Sequence, residues 1–114
     1  MQLPWDYAEP RGRLVVAHVD AAIAGCVAIR PLNDPACEMR RLYVRSAYRS
    51  AGVGRKLVEQ VIASARAMGY EHMLMNTLPA MSHALALYRS FGFHDVEPYV
   101  TEPNPSVIYL GLEL

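Results

Sequence analysis

Between Val44 and Leu57 the chain reads Val-Arg-Ser-Ala-Tyr-Arg-Ser-Ala-Gly-Val-Gly-Arg-Lys-Leu. Two glycines, Gly52 and Gly54, sit at the start of an amphipathic run, and Arg45, Arg49 and Arg55 stand close by. A glycine-bearing loop that opens a helix lets backbone approach a ligand, while the helix's unpaired N–H groups and dipole attract anionic oxygens. The chemistry these residues suit is the cradling of a pyrophosphate. The spacing is Arg49-x-x-Gly52-x-Gly54. It lacks the Gly-Lys-Ser/Thr ending of a P-loop, so neither a phosphate-bridging lysine nor a magnesium-holding hydroxyl is supplied. A dinucleotide fingerprint would need a third glycine where Leu57 stands.

The elements around this loop must position it. Arg13–Val19 is β-branched and reads as a strand, with Ile23–Arg30 and Ala36–Val44 as the next two, separated by turns at Asp20-Ala21-Ala22 and Pro31–Pro35. From about Gly52 to Met68, Leu57, Val58, Val61, Ile62, Ala65 and Met68 fall on one helical face. Arg55, Lys56, Glu59, Gln60 and Arg66 fall on the other, and Gly69 ends the helix. His72–Thr77 is a strand, Met81–Phe91 a helix stopped at Gly92, and Phe93–Val96 and Val107–Leu114 the last two strands. A loop spaced by Pro98, Pro103 and Pro105 joins those two. The order β-β-β-α-β-α-β-β predicts an α/β (α+β) fold with a mixed, mostly antiparallel central sheet flanked by helices.

The loop, the apolar strand ending Arg41-Leu42-Tyr43-Val44 before it, and Leu87-Tyr88-Arg89-Ser90-Phe91-Gly92-Phe93 after it resemble the GNAT superfamily of acetyl-CoA-dependent N-acetyltransferases. The match is to the family's Arg/Gln-x-x-Gly-x-Gly/Ala cofactor loop and its Tyr-x-x-x-Gly-Phe helix ending, in family order, over roughly residues 13 to 114. The resemblance implies acetyl-CoA as co-substrate. It implies a pyrophosphate site formed by Arg49, Ser50, Ala51, Gly52, Val53, Gly54 and Arg55. Leu42, Tyr43 and Val44 would pair their backbone with the pantetheine arm, and an N–H of Val44 or Tyr43 would face the thioester oxygen. Glu38 takes the place of the general base and Tyr88 that of the general acid. Glu38 could instead pair with Arg30 or Arg40, and Tyr88 could be an ordinary core aromatic. Many members carry asparagine where this chain has Met81, and Asn76 offers a substitute contact to the cofactor. Ser46 and Ser50 replace a frequent proline and glycine.

Family domains usually begin with a strand and one or two helices, whereas only a dozen residues precede Arg13 here. The chain therefore reads either as a piece of a longer protein or as one GNAT-like domain, residues 1–114, that is N-terminally shortened. The implied activity is acetyl transfer to a primary amine of a small molecule or peptide. The alternative is a CoA-binding sensor or interaction module without catalysis.

Composition bounds the other classes. At 114 residues the chain suffices for one domain, and 53% apolar with 19% charged residues excludes a disordered one. Lysine plus arginine and aspartate plus glutamate both total 11, so no basic field points to nucleic acid or an anionic membrane. No apolar run approaches the roughly 20 residues of a membrane span, and Met1–Asp6 lacks a signal-peptide layout. The expected setting is cytoplasmic, with acetyl-CoA, an amine acceptor and at most a second copy of the chain as partners. A hairpin of the second and third strands would set Cys26 opposite a residue near Arg41 and Cys37 near Arg30, too far apart for a disulfide, so both are expected as reduced thiols. His18, His72, His83 and His94 show no metal spacing, and no metal is expected. Trp5, Tyr7, Tyr99 and Tyr109 are candidates for an acceptor pocket or for packing.

Overall fold

A computed structural model describes residues 12–33, 35–49 and 51–114. Six strands form one sheet: β1 (Arg13–Val19), β2 (Ala22–Pro31), β3 (Ala36–Val44), β4 (His72–Thr77), β5 (His94–Asp95) and β6 (Ile108–Glu113). Helix α1 is Val53–Ala67 and α2 is Ser82–Ser90, with a short 3-10 turn at Ser46–Tyr48. The strand order is β1-β2-β3-β4-β6-β5. Only β3 and β4 run parallel, and all other neighbours are antiparallel. The expected mixed sheet, its element order and its flanking helices are all present. Element ends differ from the sequence reading by a residue or two, since fraying ends carry little pattern.

The core forms where α1 lies on the sheet. Val53, Leu57, Val58, Val61, Ile62 and Ala65 are buried on one α1 face, against Ala24, Val27, Ile29, Cys37, Met39, Met73 and Leu110. Burying each Leu, Ile or Val side chain contributes about 1.5–3 kcal/mol, so this face holds α1 in place and therefore aims its N-terminus. Both helices end at glycines with positive φ, Gly69 at 90° and Gly92 at 102°. Just beyond Gly92, Phe93 turns inward and packs edge-on against Tyr88, with ring centroids 6.0 Å apart.

The β2–β3 register departs from the expected hairpin. Cys26 faces Tyr43 and Cys37 faces Pro31, and the register shifts between Cys26 and Ala28. Because Ala28 pairs with Arg40 and Cys26 with Tyr43, Val27 alone opposes both Arg41 and Leu42. That is a β-bulge, with Arg41 in the left-handed region at φ 58°. Both cysteines are free thiols, as expected.

Candidate functional site

The bulge has a consequence one strand away. β3 and β4 pair only through Ala36–His72, Cys37–Met73 and Glu38–Leu74, although β3 continues to Val44 and β4 to Thr77. A bulged strand bends and twists, and past Glu38 the two strands part. A cleft of about 260 Å³ opens between residues 38–42 of β3 and 75–77 of β4, with Met81 and Tyr88 of the α2 segment completing its wall.

The backbone of β3 presents itself to this cleft. The Arg45 N–H donates to the Ala24 carbonyl at 2.8 Å, and Tyr43 pairs with Cys26. Alternation then turns the Leu42 and Val44 peptide groups away from β2, toward the side β4 has vacated. The Val44 carbonyl accepts from Arg49 Nε at 3.1 Å, which ties the following loop to the strand end.

That loop delivers Gly52 as the N-cap of α1 at φ 80°. A side chain at Gly52 would meet none of the described residues within 4 Å, whereas one at Gly54 would touch Leu87 and Val44 at 3.6 and 3.7 Å. Among the described residues no side chain caps α1, and its first turn carries no acidic residue. The helix thus presents its positive end to open space. The three arginines are used differently. Arg45 Nη1 donates to the Ile23 carbonyl at 3.2 Å, at the hairpin end of β2. Arg55 Nη2 donates to Ser90 Oγ at 3.3 Å and its guanidinium lies 5.1 Å from the Phe91 ring centroid, joining the start of α1 to the end of α2. Ser50 lies outside the described residues, as do Trp5 and Tyr7.

Glu38 is the one buried charged side chain among the described residues, only 3% exposed. Its Oε1 accepts from Arg30 Nε at 2.8 Å, and Arg40 Nε is more distant at 3.8 Å. The ion pair weighed from sequence is therefore present, on Arg30. Its Oε2 accepts from the Tyr99 hydroxyl at 2.6 Å, and Asn76 Nδ2 in turn donates to the Tyr99 oxygen at 3.2 Å. Burial and the adjoining Glu38 carboxylate push the Tyr99 phenol well above its usual range. The Tyr99 ring packs edge-on against Tyr109, with centroids 5.6 Å apart. Sequence spacing could not have announced the Tyr99–Glu38 contact, which spans 61 residues.

Tyr88 is buried on α2 and lines the cleft from the other side. Burial pushes its phenol from an ordinary value near 10 up to about 12, so the hydroxyl keeps its proton at neutral pH. The structure thus brings together Glu38, Leu42, Asn76 and Tyr88 around one cleft. Gly52, Gly54, Arg49 and Arg55 stand at the helix end beyond Val44. The Tyr43 ring is exposed and its backbone is taken up by β2. Among the described residues no three His, Cys, Asp or Glu side chains group as a metal site, and no helix is long and apolar enough to cross a membrane.

The sequence profile of the Acetyltransferase (GNAT) family matches residues 2–93. The chain belongs to this family. It is 42% identical over 110 residues to an uncharacterized N-acetyltransferase of Schizosaccharomyces pombe, covering 95% of this chain and 68% of that one. It is 33% identical over 93 residues to human N-acetyltransferase 8, covering 76% of this chain and 41% of that one. Among solved structures, a GNAT family acetyltransferase from Elizabethkingia anophelis with acetyl-CoA bound superposes with a TM-score of 0.79 at 23% identity, covering all of this chain and 92% of that one. A Bacillus subtilis acetyltransferase in complex with CoA superposes with a TM-score of 0.77 at 21% identity, covering 93% and 79%. At those identities the structures establish the GNAT fold.

Proposed function

We propose that this GNAT domain transfers an acetyl group from acetyl-CoA to a primary amine of a small molecule or peptide. The observation that carries the reading is the parting of β3 from β4 beside an uncapped α1 N-terminus, with open space in front of Gly52. The residues present fit the group. An extended pantetheine arm needs a strand edge, which Leu42 and Val44 supply, and its amides can pair there as an added strand would. The pyrophosphate needs N–H donors and positive charge, which the first turn of α1, Arg49 and Arg55 supply.

When bound, acetyl-CoA supplies an activated thioester carbonyl. The chain's residues then have three tasks. The Val44 N–H, fixed by its place in β3, donates to the carbonyl oxygen as charge develops on it. Glu38 takes the proton that the attacking amine loses, directly or through water. Each of its oxygens has one close partner and keeps a lone pair for this. Tyr88, held as a phenol, donates its proton to the departing sulfur. Asn76, across the cleft, contributes a polar edge where Met81 has none. A cytoplasmic setting belongs to the same reading, and the free thiols of Cys26 and Cys37 support it.

The engagement of both Glu38 oxygens, by Arg30 and Tyr99, also supports a second reading, a CoA-binding module without turnover. A thiol-release assay with acetyl-CoA across a panel of small amines and peptide N-termini, beside a calorimetric titration, separates the two. Turnover on at least one amine is expected. Binding without release on any amine would favour the module, and failure to bind would remove both.

A further inference from the structure

The loop between β5 and β6 carries a residue that reaches the buried carboxylate of the site. Tyr99 stands 61 residues beyond Glu38, yet its hydroxyl makes a 2.6 Å contact with Oε2 of that buried carboxylate. The contact has a direction. Asn76 Nδ2 donates to the Tyr99 oxygen, so the single phenolic proton is directed at Glu38. The ring is braced edge-on by Tyr109 of β6, itself buried. Arg30 grips one carboxylate oxygen and Tyr99 the other, which leaves the Glu38 side chain no free rotation about its last bond. We propose that Tyr99 is a positioning residue for Glu38: its hydroxyl clamps Oε2 and presents the remaining lone pairs to the cleft where the acceptor amine arrives. The proposal rests on the acetyltransferase reading for its catalytic sense, and on geometry alone for the clamp.

A hydrogen bond to an ionised carboxylate favours the charged form, which is the form a base requires. Among the described residues, the charged and titratable groups around Glu38 are Arg30 on β2, Arg40 and Arg41 on β3, Tyr88 on α2, Tyr99 on the loop and Tyr109 behind it. Of these, Arg30 and Tyr99 are the two within 3 Å of its oxygens. Burial and the carboxylate together raise the Tyr99 phenol, so it remains a donor across the pH range in which Glu38 would act.

Tyr99→Phe removes the hydroxyl and keeps the ring against Tyr109, and Tyr109→Phe serves as a control that removes the neighbouring hydroxyl and leaves the clamp in place. Two measurements decide the matter. The first is the carboxyl ¹³C resonance of Glu38 in cofactor-free protein at fixed neutral pH, assigned with Glu38→Gln. It should shift in Tyr99→Phe and stay in place in Tyr109→Phe. The second is kinetic. In Tyr99→Phe, kcat should fall about tenfold with KM for acetyl-CoA unchanged. An unmoved resonance overturns the proposal whatever the activity. A shifted resonance with unchanged kcat overturns it too, because the contact is then only structural. If wild type acetylates no amine, the acetyltransferase reading fails, and the resonance alone still decides whether the clamp exists.

Discussion

The two loop glycines make a differential prediction, because the structure gives them different surroundings. Gly52 is at φ 80° with open space before it, while Gly54 has ordinary helical surroundings with Leu87 and Val44 at van der Waals distance. Alanine at 52 must hold a left-handed conformation, at a cost of about 1–2 kcal/mol, which lowers the melting temperature by about 4–8 °C for a chain of this size. Alanine at 54 fits without displacement and improves helix propensity, adding about 0.5 kcal/mol. Aspartate at 52 is the informative variant for binding. Asp tolerates left-handed φ better than alanine and its carboxylate can cap the first-turn N–H groups, so the fold should survive. That same carboxylate occupies the donors meant for the pyrophosphate. Repulsion between unit charges about 4 Å apart costs about 1 kcal/mol in water and about 4 kcal/mol at an effective dielectric of 20. Acetyl-CoA affinity should therefore fall by about 5- to 1000-fold in Gly52→Asp and change less than about threefold in Gly54→Ala. Aspartate at 54 is a poorer probe, since its Cβ would sit between two apolar side chains. Calorimetric titration with acetyl-CoA, paired with thermal melts, reads both effects. Near-native affinity in a folded Gly52→Asp protein would remove the cradle from the start of α1.

Three further outcomes are expected. Glu38→Gln should lower turnover by ~10²-fold or more with little change in acetyl-CoA affinity, and the pH–rate profile should lose its acidic limb; an unchanged profile would leave Glu38 as the partner of Arg30 only. Tyr88→Phe should keep the melting temperature within a few degrees while turnover falls ~10²-fold or more; loss of folding with full activity per folded molecule would make the residue purely structural. Burial holds the Cys37 thiol and the Tyr88 phenol protonated up to about 12, against ordinary values near 9 and 10. Unfolding releases those protons earlier, so the stability associated with them is complete below about pH 9 and lost as pH rises toward 12. The urea midpoint should be flat from pH 7 to about 9 and then decline, and a flat midpoint to pH 11 would contradict the burial of both groups.

Elements and loop chemistry were legible along the chain because local physics sets them. The period of α1 from Leu57 to Ala65, the stops at Gly69 and Gly92, and the glycines on either side of Val53 each depend on a few neighbouring residues. The order of strands and helices followed from those local patterns, and with it the family's fold. The site itself is another matter. No glycine or proline marks Arg41 as the bulge. Its left-handed φ belongs to the register shift between β2 and β3, a pairing of two strands that no local pattern along β3 announces. The one-residue shift that places Cys26 opposite Tyr43 is part of the same pairing. Nor does local sequence say that Glu38 is shared between Arg30 and Tyr99. A buried carboxylate must find donors wherever the fold supplies them, and here one comes from the neighbouring strand and the other from a loop 61 residues away. Sequence determined which groups the chain has to offer at the cleft. Tertiary structure decided which of them meet, because burial and pairing are settled between segments.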